Sequence, residues 1–197
     1  MFPVFIKWFP SLAFAKIVGI IVLIAVLTDE FIPYLSAGAR VYGPQGLDRG
    51  SSLAIQIAAF IGFAVALFLR YQNIGVVPPW IQVGAIGLLI VGMLLRAWAV
   101  FLLGRFFSRT VHIEQGHRLV TNGPYRWIRH PAYTGMLLID AAVVLSLGTW
   151  AGALFMFSVL LAASLYRIRV EEHALIQTFG EGYLAYRRRT WRLFPGW

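Results

Sequence analysis

The chain has 197 residues, of which 59% are hydrophobic and 13% charged, with a mean hydropathy of +0.74. A soluble domain carries about 25% charged residues, so an ordinary soluble protein is excluded and one compact integral membrane domain is expected. The net charge of +9 lies in loops beside apolar runs, where anionic membrane lipids explain it and nucleic acid does not; the lack of cysteine excludes disulfides, thiolate catalysis and cysteine-held iron–sulfur clusters.

Five apolar segments follow one another, over residues 12–27, 53–69, 81–103, 132–147 and 150–168. The predicted class is all-α, an integral membrane protein with about five transmembrane helices and a C-terminal interfacial helix. The first and fourth segments are short for a hydrocarbon core of about 30 Å, which predicts interfacial structure at their ends. The first also imitates a secretory signal, with Lys7 before it and Ala37-Gly38-Ala39 after it. That small-residue site lies well past the apolar run, beyond Asp29, Glu30 and Pro33, so a retained helix is expected.

Between the last two segments only Gly148-Thr149 is available for a connection, which predicts a tight antiparallel hairpin. The hairpin returns the chain to the side it left. It therefore brings together the polar stretches before and after it. Arg105, Arg109, Arg118, Arg126 and Arg129 precede the hairpin, and Arg187, Arg188, Arg189 and Arg192 follow it. With Arg40 and Arg49 they mark one face as cytosolic, against little beyond Lys7, Lys16 and Arg70 on the other. The N-terminus is then expected outside. Asp140 and Arg96 fall within apolar segments, where charge is costly; a buried pair between them is expected, with a role around a substrate channel as the alternative.

After the fifth segment, Glu171 and Glu172 are expected to open a helix that residues 187–189 close, an order that complements the helix dipole. Leu175, Ile176, Phe179, Tyr183 and Tyr186 give it an apolar stripe suited to an interface, and Gly180 and Gly182 weaken or divide it.

Chemistry concentrates in residues 117–135, HRLVTNGPYRWIRHPAYTG, where histidines, arginines and tyrosines stand directly against a membrane span. His117 and His130 lack the close spacing and further ligands of a zinc site, so no metal is expected. Neither a G-x-S-x-G element nor a phosphate-cradling glycine pattern is present. Pro124 and Pro131 disfavour helix before them, predicting a folded loop and then a helix starting near Pro131. A positive-inside loop with aromatic anchors would explain Arg118, Arg126, Trp127 and the tail arginines. It does not explain His117, Tyr125, His130, Arg167 and Glu171.

The pattern H-x-L-V-T-x-G-P-Y-R-x-x-R-H-P-x-Y-x-G, followed by R-x-x-x-E-E-x-x-L-x-x-x-F-G-x-x-Y-x-x-Y, resembles the isoprenylcysteine carboxyl methyltransferase family, which shares this region with phospholipid N-methyltransferases. The resemblance covers residues 108–196 and divides the chain into membrane helices over 1–103 and a methyltransferase region over 104–197. It implies an S-adenosyl-L-methionine site. His117, Arg118, Leu119 and Val120 would line the methionine end of that cofactor. Tyr125, His130, Pro131, Ala132 and Tyr133 would enclose the rest, with Glu171 as a further contact. Arg167 matches the arginine that meets the acceptor carboxylate. The chain departs from the family at one point: the glutamine that some members carry upstream of the histidine is replaced here at or near Thr110, so that cofactor contact is not expected to carry over.

The residue types suit that chemistry. A carboxylate with a reference pKa of about 3.5 is already ionised and needs no general base, so positioning and a dry pocket carry the rate. Arginine supplies a planar fork for a carboxylate. The expected activity is methylation of a lipophilic acceptor entering from the bilayer, most simply the carboxylate of an isoprenylated cysteine. Other readings are methylation of a phospholipid or another small lipophilic acceptor, a sterol-type reductase, and a non-catalytic binding or transport protein. Arg167 and Glu171 could also be no more than an i,i+4 pair at a helix end.

Overall fold

A computed structural model of the protein describes residues 48–108 and 118–196. The expected first span, the signal-like stretch, Thr110 and His117 lie outside the described residues. All regular elements among the described residues are helical: α1 (Ser51–Tyr71), α2 (Pro79–Leu103), α3 (Pro131–Ser146), α4 (Trp150–Phe179) and α5 (Glu181–Arg188). Short 3-10 turns occupy Gly104–Phe106 and Gly123–Arg126.

Three of these helices, α1, α2 and α4, are long and apolar enough to cross a membrane, while α3 is a shorter apolar helix of 16 residues. At about 1.5 Å per residue, α3 spans only about 24 Å, less than a hydrocarbon core. Large apolar side chains on the outer faces, among them Phe60, Trp80, Leu94 and Leu154, are exposed in the manner of lipid-facing groups.

The predicted hairpin is present. α3 ends at Ser146 and α4 begins at Trp150, with Gly148 in the turn at a φ of 95° that a side chain would strain. Thr149 caps α4, its hydroxyl accepting from Gly152 N at 3.1 Å. The turn is also stitched to the α1–α2 connection: Val77 N donates to Gly148 O at 3.0 Å, and Trp150 N donates to Gly75 O at 2.8 Å. All four long helices thus turn at one end. Their other ends must form the site.

α2 packs mainly on α3 and α1 mainly on α4, with α3 and α4 side by side in the middle. The α2–α3 crossing is close enough to need glycine. A Cβ on Gly135 would stand 2.8 Å from both Arg96 N and Gly92 O, so backbone meets backbone there, as small residues permit in membrane helices. Between α1, α3 and α4 lies a core of Ala66, Leu137, Val144, Ala153, Met156, Leu160 and Ile168, which Leu193 of the tail joins.

The C-terminal region corrects the expectation from sequence. Glu171 and Glu172 do not open a new helix; they stand inside α4, which runs unbroken for 30 residues to Phe179. At about 1.5 Å per residue α4 is about 45 Å long, so a core of about 30 Å takes roughly its first twenty residues and the rest projects beyond it. Only Gly180, with φ 51°, ends it, and the 8-residue α5 follows. No glycine or proline stands near Glu171 to stop the backbone there, so acids alone do not start a helix.

Candidate active site

At the end opposite the hairpin turn, three polar layers meet. The first is centred on Arg167, which is buried on α4. Its Nε donates to the Tyr133 hydroxyl at 2.5 Å, and that hydroxyl donates to Glu171 Oε2 at 2.9 Å. Tyr133, Arg167 and Glu171, three residues expected from the sequence, are thus hydrogen-bonded in a row. Arg167 Nη1 meets Asp48 Oδ1 at 2.9 Å, Ser52 Oγ at 2.7 Å and Ser51 Oγ at 3.2 Å. The Ser52 and Ser51 hydroxyls also donate to Asp48 Oδ1, at 2.8 and 3.1 Å, and Ser52 N donates to Asp48 Oδ2 at 3.1 Å. The buried Asp48 carboxylate is therefore fixed at the leading turn of α1. A plain i,i+4 pairing of Arg167 with Glu171 does not describe this arrangement, because Tyr133 bridges the two.

The second layer joins the loop to the tail. Glu172 Oε1 accepts from Arg129 Nε at 2.9 Å and stands 3.3 Å from His130 Nε2, while Oε2 stands 3.6 Å from Arg192 Nη2. Arg129 also donates from Nη1 to Arg187 O at 3.2 Å and to Thr190 O. The backbones run side by side, with Arg129 N donating to Trp191 O at 2.8 Å and His130 N to Arg192 O at 3.1 Å. Thr134 Oγ1 adds a bond to Leu193 O at 2.6 Å. His130, expected near the cofactor, is buried against Glu172 in this layer. The two polar stretches that flank the hairpin do come together.

The third layer is the turn Gly123–Arg126. Pro124 at its start fixes φ for the turn, and Tyr125 is buried by it. Tyr125 Oη donates to Ala99 O at 3.4 Å, and Tyr186 Oη donates to Tyr125 O at 2.8 Å. Burial pushes both phenols well above their usual range, so they remain neutral donors. Val120 packs against a cluster of Ala99, Val100, Tyr125 and Ala132. Leu119 is half-buried and Arg118 is exposed. Pro131 starts α3 and is fully buried, and Arg96 Nη1 donates to Ala132 O at 3.0 Å. That bond gives Arg96 a place in the site apart from the pairing with Asp140 that its membrane setting suggests. Beside residues 118–120, Thr121, Arg126, Tyr186 and Arg189 line an open depression of about 360 Å³.

Buried groups that make no hydrogen bond among the described residues include the Tyr183 hydroxyl, Arg192 Nε and the Ser164 hydroxyl on α4. No group of three or more histidine, cysteine or carboxylate side chains that could hold a metal occurs among them either. Asp48, Ser51 and Ser52 are members of the site outside the sequence motif, while Glu172 and Arg129 stand in the motif without a role expected of them. Asp48 had one signal, an acid three residues before a serine pair that opens an apolar run.

Fold and site together define a helical membrane protein with a polar, arginine-rich site at one end of its bundle. Comparison with known proteins gives that class its relatives. The sequence model of the isoprenylcysteine carboxyl methyltransferase (ICMT) family matches residues 85–177, so this segment is similar to that family. It is 35% identical over 112 residues to protein-S-isoprenylcysteine O-methyltransferase B of Arabidopsis thaliana, covering 56% of this chain and 57% of the relative. It is 34% identical over 160 residues to the Homo sapiens protein-S-isoprenylcysteine O-methyltransferase, covering 76% of this chain and 55% of the relative. The chain thus spans about half the length of these relatives. A solved eukaryotic intramembrane Ras methyltransferase, ICMT, shares the fold, with a TM-score of 0.52 and 24% identity over 74% of this chain and 51% of that one.

Proposed function

We propose that this protein transfers a methyl group from S-adenosyl-L-methionine to the carboxylate of a lipophilic acceptor, an isoprenylated cysteine or a close analogue. The observation that carries the proposal is the hydrogen-bonded row Asp48, Arg167, Tyr133, Glu171, which sets a buried guanidinium among residues of the family's motif. A guanidinium suits a carboxylate because its planar fork can donate two parallel bonds. The match of residues 85–177 to the family's sequence model and the names of the relatives support the same reaction.

The residues present fit the cofactor. Tyr183 Oη and Arg192 Nε are buried donors without partners, and S-adenosylmethionine brings carboxylate and ribose acceptors. Its sulfonium supplies an electrophilic methyl group. Arg118, Leu119 and Val120 would lie along it, opening on the depression at Thr121, with Tyr125, Pro131 and Ala132 packed behind and His117 completing the motif. Glu171 offers negative charge to a cationic sulfonium, and Tyr133 ties that carboxylate to Arg167. His130 acts by orienting Glu172 and the tail. Arg167 orients the acceptor carboxylate, which is ionised at neutral pH and needs no base. The acceptor would reach the site sideways from the bilayer, between helices. The arginine-rich end, by the positive-inside rule, faces the cytosol, and α5 lies along the interface.

A first test is binding. Calorimetry with the demethylated cofactor, S-adenosylhomocysteine, should give the same affinity before and after treatment with EDTA. Binding lost on chelation and restored by zinc would replace this site with a metal centre.

A further inference from the structure

Arg167 does not wait for its acceptor with an empty hand. Its Nη1 is held by Asp48 and by the Ser51 and Ser52 hydroxyls, all from the leading turn of α1, 115–119 residues away in sequence. Asp48 lies outside residues 85–177, the segment that matches the family model. The pair is buried on both sides, with 6% and 9% of the two side chains exposed. The Asp48 carboxylate is itself fixed, Oδ1 by two hydroxyls and Oδ2 by the Ser52 amide. In such surroundings a buried guanidinium needs a carboxylate partner, and a second carboxylate arriving at it meets like charge.

Resting on the acceptor assignment above, we propose that Asp48 is the resident carboxylate of the Arg167 anion seat. It holds the guanidinium in position while the acceptor is absent and competes with the acceptor carboxylate for it. The reaction itself would shift that competition. Methylation turns the bound carboxylate into a neutral ester, the ester gives up its claim on Arg167, and Asp48 takes the guanidinium back. Asp48 is then a positioning residue that weakens binding of the acceptor carboxylate and leaves the affinity for the ester product as it is. Ser51 and Ser52 keep it within reach, since α1 packs along α4 and carries both hydroxyls to the same point.

The test compares two ligands on two forms of the full chain in detergent micelles. The ligands are an N-acyl S-prenyl cysteine and its methyl ester, which differ in charge at the reacting group. The proteins are the natural chain and Asp48→Asn, which keeps an oxygen acceptor for Arg167 and the serines. The expected result is that the carboxylate binds Asp48→Asn about tenfold more tightly than the natural chain, in line with the strength of close charge pairs, while ester affinity is unchanged. Asp48→Ser should repeat this, and unchanged ester binding reports that both variants are folded. If both ligands weaken together, Asp48 is only a structural prop and the proposal is overturned. Weaker binding of the carboxylate alone would overturn it too, by showing cooperation instead of competition. If neither ligand binds either form, the acceptor assignment itself fails, and this inference falls with it.

Discussion

Arg167→Ala should lower turnover by roughly thirtyfold to a thousandfold while the affinity for S-adenosylhomocysteine changes little. Losing a charge-assisted contact to a desolvated carboxylate costs about 2–4 kcal/mol, which sets that range. The structure adds a second consequence. The same substitution leaves Asp48 buried without its guanidinium, and stranding one partner of a buried pair costs about 3–5 kcal/mol of stability. The two effects separate in a double variant. Arg167→Ala with Asp48→Asn should regain much of the melting temperature and none of the turnover, because it removes the stranded charge but not the missing fork. Arg167→Lys should recover only part of the rate, since an ammonium is a point charge. Glu171→Ala, by contrast, should weaken cofactor binding first, with turnover falling as a result. A double variant that recovered turnover along with stability would reduce Arg167 to a helix-packing residue.

The other large effect lies one residue away from Glu171, in the lock between loop and tail. Glu172 faces Arg129, Arg192 and His130, all three of which are held in place by backbone pairing as well. Glu172→Ala removes the shared carboxylate from buried cations, which by the same measure costs about 3–5 kcal/mol. Glu172→Gln keeps an acceptor and should cost less. Because the lock ties residues 190–193 to residues 127–134, the loss should be local first. Limited proteolysis should release the segment after α5 while α1 to α4 stay protected, and cofactor affinity should fall with it. A tail that remained protected in Glu172→Ala would mean that the backbone pairing at Trp191 and Arg192 holds without the carboxylate.

The hairpin was legible because Gly148-Thr149 leaves no room for any other connection. The start of α3 was legible because Pro131 both ends a loop and opens a helix, and the row Tyr133, Arg167, Glu171 was legible through the family pattern. The separate duties of Glu171 and Glu172 were not. Neighbours on a helix point about 100° apart, so one carboxylate reaches Tyr133 and the other Arg129, and only the packing of α4 on α3 decides which. Asp48 was hidden for a related reason. Its meaning depends on α1 lying along α4, a contact between residues 119 apart that no local periodicity encodes. The length of α4 was misjudged in the other direction: acids in mid-sequence suggested a new start, yet neither glycine nor proline interrupts the backbone between Gly152 and Gly180.

The most direct measurement follows the methyl group. The purified chain is incubated with S-adenosylmethionine carrying an isotopic label in its methyl group and with an S-prenyl cysteine acceptor, and the lipophilic product is then treated with alkali. A carboxyl methyl ester hydrolyses and releases the label as volatile methanol, so label that transfers to the acceptor and leaves in alkali is the predicted result. Label that enters the lipid fraction but resists alkali would mark a methylated nitrogen, and would contradict the assignment of Arg167 to an acceptor carboxylate.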